Sequence, residues 1–415
     1  MILKDISDKA GEKMIKRELY LQKIRPFVNQ DLIKVITGIR RCGKSVLLQL
    51  IQQELQKNGV AEKNMLTYNF ESMTLAHLCT AEALYHDVRE KAKSIKGKIY
   101  LFFDEVQEVK DWEKAINSFR VDIDCDIYVT GSNSKLLSGE LATYLAGRYI
   151  EFVMYPLSFS EFYQAVQAKT PSKSVNDVFK DYLHFGGMPY LGNLQFQEEP
   201  VKQYLTDLYN AIELKDIIRR KKIRDVDLLE RILAYVTANI GKTFSATTIS
   251  KYLKSEGRRV APETVLNYLH AGQEAYLFYP LKRQDIVGKK MLSVQEKYYL
   301  ADHGIREAVI GGNMQDINLI LENIVFLELK RRGYKVTVGK CGEKEIDFIA
   351  ERQAEIIYLQ VCYLLASPET VEREFGVYKN IQDNYPKYVL SLDEFDLSRE
   401  GIIHQNIRDF LLAEK

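Results

Sequence analysis

Short apolar runs alternate with longer amphipathic stretches along the first 150 residues of the chain. The apolar runs predict buried strands at 31–38, 65–70, 99–105 and 125–132. Between the first two runs, residues 44–57 repeat their apolar positions with the spacing of an amphipathic helix. Strands that are apolar throughout and separated by helices are typical of a parallel sheet covered on both faces. The pattern therefore predicts an α/β fold built on a parallel sheet.

Three further regions follow this alternating part. From about residue 156 the pattern turns helical, and this region ends in a basic run at 219–224. Residues 225–305 predict three helices and then two strands around a glycine-containing turn, which is typical of a winged helix-turn-helix. Residues 306–415 predict a helix followed by strands. We therefore predict four units, at 1–155, 156–224, 225–305 and 306–415.

Composition narrows the class of protein. Hydrophobic residues make up 46% of the 415 residues and charged residues 28%, as in an ordinary globular protein. The net charge of +1 gives no global support for a dedicated nucleic-acid binder. No apolar run approaches the ~18 residues of a membrane-spanning helix, so no membrane association is expected. The five cysteines lack CxxC spacing, which predicts neither a zinc site nor disulfides and favours the cytoplasm.

A phosphate-binding loop is predicted between the first strand and the helix that follows it. The sequence "GIRRCGKS" at 38–45 matches GxxxxGK[ST] in the strand-loop-helix context that this pattern requires. Lys44 is expected to reach the β- and γ-phosphates, and Ser45 to hold Mg²⁺. Nucleotide contacts are expected from Gly38, Ile39, Arg40, Arg41, Cys42, Gly43, Lys44, Ser45 and Val46. For Cys42, a functionally neutral position is favoured over a redox sensor.

Polar residues end the two strands that follow. Asp104 and Glu105 close the apolar run "IYLFFDE", at the strand end where ligands of such sheets bind. Asp104 suits Mg²⁺ binding and Glu105 suits orientation of the attacking water, although a surface acidic pair would show the same pattern. Ser132 and Asn133 end the next strand, where either could sense the γ-phosphate.

Arg148 is the candidate for a catalytic arginine. An arginine supplied by a neighbouring subunit can stabilise the charge of the transition state in NTPases, typically by ~10³–10⁵ in rate. Such a role requires a homo-oligomer. The alternative is a solvated or ion-paired arginine without a catalytic function.

The chain resembles the AAA+-related prokaryotic ATPases whose C-terminal half is a domain of unknown function and which often carry a nuclease-like end. Segments in one order along nearly the whole chain carry the resemblance: "GIRRCGKSVLL", "LFFDEVQEVKDWEKAI", "VTGSNSKLLSGELATYLAGRYIEFVMYPLSFSEF", "FGGMPYL", "IELKDIIRR", "KYYLADHGIR" and "EIDFIA". The resemblance implies ATP rather than GTP, and a helical lid at 156–224 after the ATPase core at 1–155. The absence of an NKxD-type guanine reader agrees with ATP.

The predicted winged helix leaves three functions open: sequence-specific DNA reading, non-specific nucleic-acid contact, or a structural hinge. Its expected recognition helix, "APETVLNYLHAG", contains no lysine or arginine to neutralise phosphate. Basic residues around it could follow a nucleic-acid backbone, namely Arg219, Arg220, Lys221, Lys222, Arg224, Arg258, Arg259, Lys289 and Lys290. Non-specific contact and a hinge are therefore favoured over sequence reading.

The helix-strand-strand layout at 306–415 resembles the PD-(D/E)xK nuclease fold. Glu322 lies on the predicted helix, Asp347 ends the first strand, and Gln360 stands where the second metal-binding acid belongs. Cys362 replaces the lysine that would orient water and stabilise charge on the phosphate. Because one acid and the cation are missing, we expect a degenerate site without efficient cleavage, unless a lysine such as Lys340 or Lys344 moves in.

The sequence thus predicts an α/β protein with an AAA+-like P-loop sheet, a helical lid, a winged helix-turn-helix and a nuclease-like C-terminal domain. We predict an ATP- and Mg²⁺-dependent ATPase that couples ATP binding and hydrolysis to remodelling or binding of nucleic acid or a protein partner. The alternative is a slow nucleotide-gated scaffold or switch in signalling or defence. A third alternative is an ATP-dependent nuclease.

Overall fold

A parallel five-stranded sheet forms the N-terminal part of the chain. The structure, a computed structural model, describes residues 14–137, 145, 147–286, 288, 290–311 and 316–413. The strands are Ile33–Thr37 (β1), Met65–Asn69 (β2), Ile99–Asp104 (β3), Cys125–Gly131 (β4) and Tyr149–Val153 (β5). They are parallel and lie in the order β2-β3-β4-β1-β5. The predicted α/β fold with a parallel sheet is confirmed, and β5 is an additional strand.

Helices cover this sheet and continue beyond it. Those of the sheet region are Glu18–Ile24 (α1), Lys44–Lys57 (α2), Ala81–Ala92 (α3) and Trp112–Asp122 (α4). The helical region comprises Phe159–Lys169 (α5), Val175–Phe185 (α6) and Glu198–Ala211 (α7), which continues as the π-helix Ile212–Arg219. Three more helices follow, at Val226–Ala238 (α8), Ala246–Ser255 (α9) and Pro262–Glu274 (α10).

One eight-stranded sheet joins the rest of the chain. Its strands are Thr243–Phe244 (β6), Phe278–Asp285 (β7), Lys290–Leu300 (β8), Lys335–Cys341 (β9), Lys344–Arg352 (β10), Glu355–Val361 (β11), Lys387–Ser391 (β12) and Ile403–Asn406 (β13). The helices between and after them are His303–Ile310 (α11), Ile317–Arg331 (α12), Pro368–Gly376 (α13) and Ile407–Leu412 (α14). The order is β13-β12-β11-β10-β9-β7-β8-β6.

Strands β7 and β9 connect the predicted wing hairpin to the C-terminal strands. They pair in parallel, with Arg283 beside Val338 and Gln284 beside Gly339. The sequence-based boundary at residue 306 therefore falls within a group of elements that share one sheet, and the division into four units stays a prediction. Lys289 of the predicted wing lies outside the described residues.

Segment 154–158 leaves β5 and connects the parallel sheet to the helical region. Arg17, whose side chain is only 3% exposed, pairs with Glu161 of α5 at 2.8 Å. It also donates hydrogen bonds to the carbonyl oxygens of Tyr155, at 2.7 Å, and Cys42, at 3.1 Å. A buried guanidinium needs this full set of partners because a buried charge is costly unless paired. Arg17 thus joins the N-terminal helix, segment 154–158 and α5.

A second buried arginine reaches the same segment from the C-terminal half. Arg331 ends α12, and its side chain is 2% exposed. It donates to the carbonyl oxygens of Pro156, at 3.2 Å, and Leu157, at 3.3 Å. The C-terminal sheet is therefore attached to the helical region through backbone groups of segment 154–158.

The end of α6 contacts the start of α11 through a buried carboxylate. Asp302 accepts hydrogen bonds from the backbone N–H groups of Gly187, at 2.7 Å, and Gly304, at 2.9 Å. Gly186 has φ +83°, and a Cβ there would lie 2.2 Å from Asp302 Oδ1. Only glycine fits at 186, and a Cβ at Gly187 would lie 2.4 Å from the carbonyl oxygen of Leu157, so both glycines of "FGGMPYL" are required by close contacts.

We predict that Gly186→Ala lowers the thermal stability of the protein. The left-handed backbone and the clash with Asp302 should together cost about 2–3 kcal/mol. Gly192→Ala is the matched control, because a Cβ at Gly192 meets only Lys169 Nζ, at 4.0 Å. Thermal denaturation should show a clear loss in Tm for the first variant and little change for the second. Equal Tm values would contradict the contact as described.

Candidate functional site

The predicted phosphate loop lies between β1 and the start of α2, where Gly43 has φ +104°. Gly38 has φ +144°, and a Cβ there would lie 2.2 Å from the carbonyl oxygen of Met154. The loop therefore packs against segment 154–158 so closely that glycine is required. The first N–H groups of α2 have no partners within the helix, and the positive end of the helix dipole lies at the same place. This backbone suits an anion such as a nucleotide phosphate.

Lys44 lies inside the loop with its side chain buried. Its Nζ donates to the carbonyl oxygens of Gly38 and Ile39, both at 3.1 Å, and lies 3.7 Å from Oε1 of Glu105. An ammonium held by two weak neutral acceptors and one longer ion pair can exchange them for phosphate oxygens. The loop therefore fits a nucleoside triphosphate.

Thr130 positions the acid pair. Its Oγ1 donates to Asp104 Oδ1 at 2.5 Å and accepts the backbone N–H of Glu105 at 2.9 Å. Thr130 lies on β4, which pairs directly with β3. One hydroxyl thus fixes the orientation of both carboxylates. Sequence analysis missed this residue, although its place at the end of the strand "CDIYVTG" was a usable signal.

The pKa values of the two carboxyls are shifted in opposite directions. Burial raises the pKa of Asp104, against hydrogen bonds from Thr130 and Ser45 that lower it. Burial would also raise the pKa of Glu105, but nearby groups, above all Lys44, lower it below its ordinary value. Glu105 is therefore anionic at neutral pH, and a divalent cation beside Ser45 would stabilise the ionised form of Asp104.

The other residues of the loop divide by exposure. Ile39 and Cys42 are buried, whereas Arg41 and Val46 are exposed. Burial raises the pKa of the Cys42 thiol, so the thiol stays protonated at neutral pH. This agrees with a neutral position rather than a redox sensor.

The end of β4 meets the π-helix at the phosphate loop. Ser132 Oγ lies 3.5 Å from Oδ1 of Asp216, and Arg40 of the loop donates from Nε to Asp216 Oδ2 at 3.0 Å. Asn133 is also buried here. Ser132 and Asn133, which the sequence analysis predicted, therefore lie close to the loop. Two residues of "IELKDIIRR" lie at the same place, Asp216 and Arg220. Sequence analysis assigned no role to Asp216.

Arg148 lies at the opposite end of the sheet. Its carbonyl oxygen accepts the N–H of Ile33 at the start of β1, whereas the phosphate loop follows the end of this strand. The length of β1 separates these positions by roughly 13 Å. The exposed side chain donates to Asn117 Oδ1 at 3.0 Å. Arg148 can therefore serve only a neighbouring subunit's nucleotide, and that role stays a prediction.

The C-terminal acids surround a lysine. Lys297, on β8 of the hairpin, is 5% exposed and lies 2.7 Å from Glu322 Oε1, 2.8 Å from Glu345 Oε1 and 3.5 Å from Asp347 Oδ1. Tyr299 also donates to Glu322 Oε1, at 2.5 Å. The sequence analysis did not consider Lys297, because the hairpin reaches these acids only through the pairing of β7 with β9. The ammonium of Lys297 is therefore the positive charge at the centre of this cluster of acids.

Three other residues considered from the sequence have different surroundings. Gln360 Oε1 accepts the backbone N–H of Asp347 at 3.3 Å. Lys344 donates instead to the carbonyl oxygen of Gly376 at 2.9 Å, so it is not the lysine at the centre of the cluster. Cys362 is buried among apolar side chains, as a core residue. Among the described residues, no group of three or more His, Cys, Asp or Glu side chains is arranged to hold a metal ion.

Comparisons with known proteins agree with the fold. The family model described as an AAA domain matches residues 30–163, and one described as a domain of unknown function matches 176–316. A Walker-type ATPase of Pyrococcus abyssi has a similar fold, with a TM-score of 0.50 and 16% identity, over 71% of this chain and 95% of that one. The parallel sheet, the phosphate loop and these matches define an AAA-type P-loop fold at residues 30–163.

Two full-length relatives define the family more closely. An uncharacterised protein of Haemophilus influenzae is 40% identical over 404 residues, covering 97% of this chain and all of that protein. An uncharacterised protein of Methanocaldococcus jannaschii is 31% identical over 414 residues, covering 93% of this chain and 87% of that protein. The chain belongs to the family of these proteins. In the part of the chain that the structure describes, no helix is long and apolar enough to cross a bilayer.

The cluster around Lys297 predicts a pH dependence of stability. Burial and the charge of Glu322 raise the pKa of Asp347 to about 8, against Lys297, which lowers it. The folded protein therefore binds more protons than the unfolded chain between about pH 4 and pH 8, and stability falls as pH rises through this window. Asp347→Asn should gain Tm relative to wild type from pH 5 to pH 8. Asp207→Asn, at an exposed position, is the control. The same change of Tm with pH in both variants would contradict the raised pKa of Asp347.

Proposed function

We propose that this protein is an ATP- and Mg²⁺-dependent ATPase that couples nucleotide turnover to a partner bound by its C-terminal half. The observation that carries the proposal is the position of Lys44 in the loop, 3.7 Å from Glu105, with Asp104 and Glu105 both fixed by Thr130. These are the groups that phosphoryl transfer to water needs: a cation for the phosphates, a metal ligand and an acceptor for the attacking water.

Each residue has a separate role in this proposal. Lys44 binds the β- and γ-phosphates, and Ser45 with Asp104 holds Mg²⁺, which would neutralise charge on the phosphates. Glu105 orients the water that attacks the γ-phosphate. Ser132, beside Asn133, reports on the presence of that phosphate. Arg148 would complete the site of a neighbouring subunit in a homo-oligomer.

We further propose that the C-terminal half is the partner-binding part. The helices α8, α9 and α10 with the β7–β8 hairpin would be a winged helix, after a helical lid and before a nuclease-like unit. The neutral Gln360 in place of the second acid supports a unit that binds rather than cuts, whereas Lys297 supplies the cation that Cys362 does not. Nucleic acid and a protein client are the two classes of partner considered.

The basic residues before α8 and after α9 support non-specific contact with nucleic acid. Arg219, Lys222, Arg224 and Arg259 are exposed. Arg258 is not free for phosphate, because it pairs with Asp225, at 2.6 Å, and with Asp227. Lys221 pairs with Glu274 in the same way, at 2.5 Å.

Lys44→Ala should abolish nucleotide binding, whereas Glu105→Gln should keep binding and lower turnover by about 10²–10⁴-fold. The physical reason is that Lys44 contributes to affinity and Glu105 to the orientation of water. Glu108→Gln, an exposed position in the same stretch, is the control. Nucleotide affinity and phosphate release are the measurements. Unchanged turnover in Glu105→Gln would refute this mechanism.

Non-specific nucleic-acid binding should depend on the exposed basic run. Lys222→Glu with Arg224→Glu should weaken binding of a single-stranded 30-mer and reduce its salt slope by about 0.7 per lost phosphate contact. Lys63→Glu with Lys96→Glu changes the net charge equally at exposed positions on the ATPase core. Binding and ATPase rates are compared at two salt concentrations. If both double variants bind like wild type, the basic run at 219–224 is not a nucleic-acid contact.

A further inference from the structure

A buried carboxylate holds two arginines at the phosphate loop. Asp216 lies on the π-helix with its side chain 1% exposed. Arg40 of the loop donates to its two oxygens at 3.0 and 3.4 Å, and Arg220 lies 3.5 Å from Oδ1. Asp216 is therefore the shared counter-ion of two guanidinium groups.

The position of this group is the corner where a γ-phosphate is expected. Ser132 Oγ lies 3.5 Å from Arg220 Nη2 and 3.5 Å from Asp216 Oδ1. Ser132 directly follows strand β4, which lies beside β1, and β1 leads into the loop. A phosphate bound by Lys44 would therefore share this corner with both arginines and with the carboxylate of Asp216.

The hydrogen bonds of the group are incomplete. Arg220 Nη1 is buried and has no hydrogen-bond partner among the described residues. The distances of 3.5 Å to Asp216 and Ser132 are at the long end for charged partners. A guanidinium with an unused donor gains free energy when an anion arrives.

We infer that Asp216 is a positioning residue that mimics a γ-phosphate: it holds Arg40 and Arg220 until the third phosphate of a nucleoside triphosphate takes them over. This inference rests on the proposed nucleotide site. A triphosphate and Asp216 compete for the same two cations, whereas a diphosphate lacks the group that competes. Asp216 thereby sets the preference between the two nucleotides.

The π-helix gives the exchange a structural readout. Its residues, Ile212–Arg219, continue α7 and are followed, after a short link, by α8. π-Helices are rare and often mark functional positions. Release of Asp216 from its arginines removes the ion pairs that join this helix to the loop. The backbone of 212–219 should then exchange its amide protons faster.

The test compares affinities for a non-hydrolysable ATP analogue and for ADP in the full-length protein. Asp216→Asn keeps the shape of the side chain and removes its charge, so affinity for the analogue should rise about 10-fold or more and affinity for ADP should change little. Arg220→Ala should lower affinity for the analogue and spare ADP. Asp207→Asn and Lys215→Ala, at exposed positions on α7 and the π-helix, are the controls.

Hydrogen exchange of the wild type provides a second measurement that needs no variant. The analogue should accelerate exchange at 212–219, and ADP should not. Equal changes in affinity for both nucleotides in Asp216→Asn, or equal exchange with both nucleotides, would overturn the inference while leaving the proposed function intact. If Lys44→Ala binds the analogue as well as wild type, the proposed site and this inference both fail.

Discussion

Two buried guanidinium groups hold one short segment of backbone, and the assembly of the molecule depends on them. Arg17 and Arg331 both donate to carbonyl oxygens of segment 154–158, one from the N-terminal part and one from the C-terminal half. A buried charge that loses a partner costs several kcal/mol, so both arginines depend on the carbonyl oxygens of this segment. The parallel sheet, the helical region and the C-terminal sheet are thus arranged around the same five residues.

The phosphate loop is part of this arrangement. Buried carbonyl oxygens of such a loop need donors, and Lys44 supplies them for Gly38 and Ile39. Arg17 supplies the donor for Cys42, and the backbone of Met154 lies against Gly38. The shape of the loop is therefore determined partly by residues that never reach the nucleotide. This links the phosphate loop to segment 154–158 and the helical region through the Arg17 side chain and the contact of Gly38 with Met154.

Local patterns were sufficient to predict the parallel sheet, the phosphate loop and the acid pair, because each is encoded in a short stretch with its own spacing. The residues that the sequence did not reveal act over long distances in the chain. Lys297 reaches the C-terminal acids only after β7 pairs with β9, and Arg17 lies in a segment whose pattern shows only charge. Thr130 fixes both acids from a neighbouring strand, an arrangement visible only in the register. The roles assigned to these residues stay predictions.

The pairing of β7 with β9 has a consequence for how such a chain can be inherited. β7 has a hydrogen-bonded neighbour on each side, β8 and β9. A gene broken between the hairpin and the last hundred residues would encode two fragments. Each fragment would have an open strand edge with unpaired N–H and C=O groups. Such edges promote aggregation. Recombination is therefore expected to move the hairpin and the C-terminal strands together, as one heritable module.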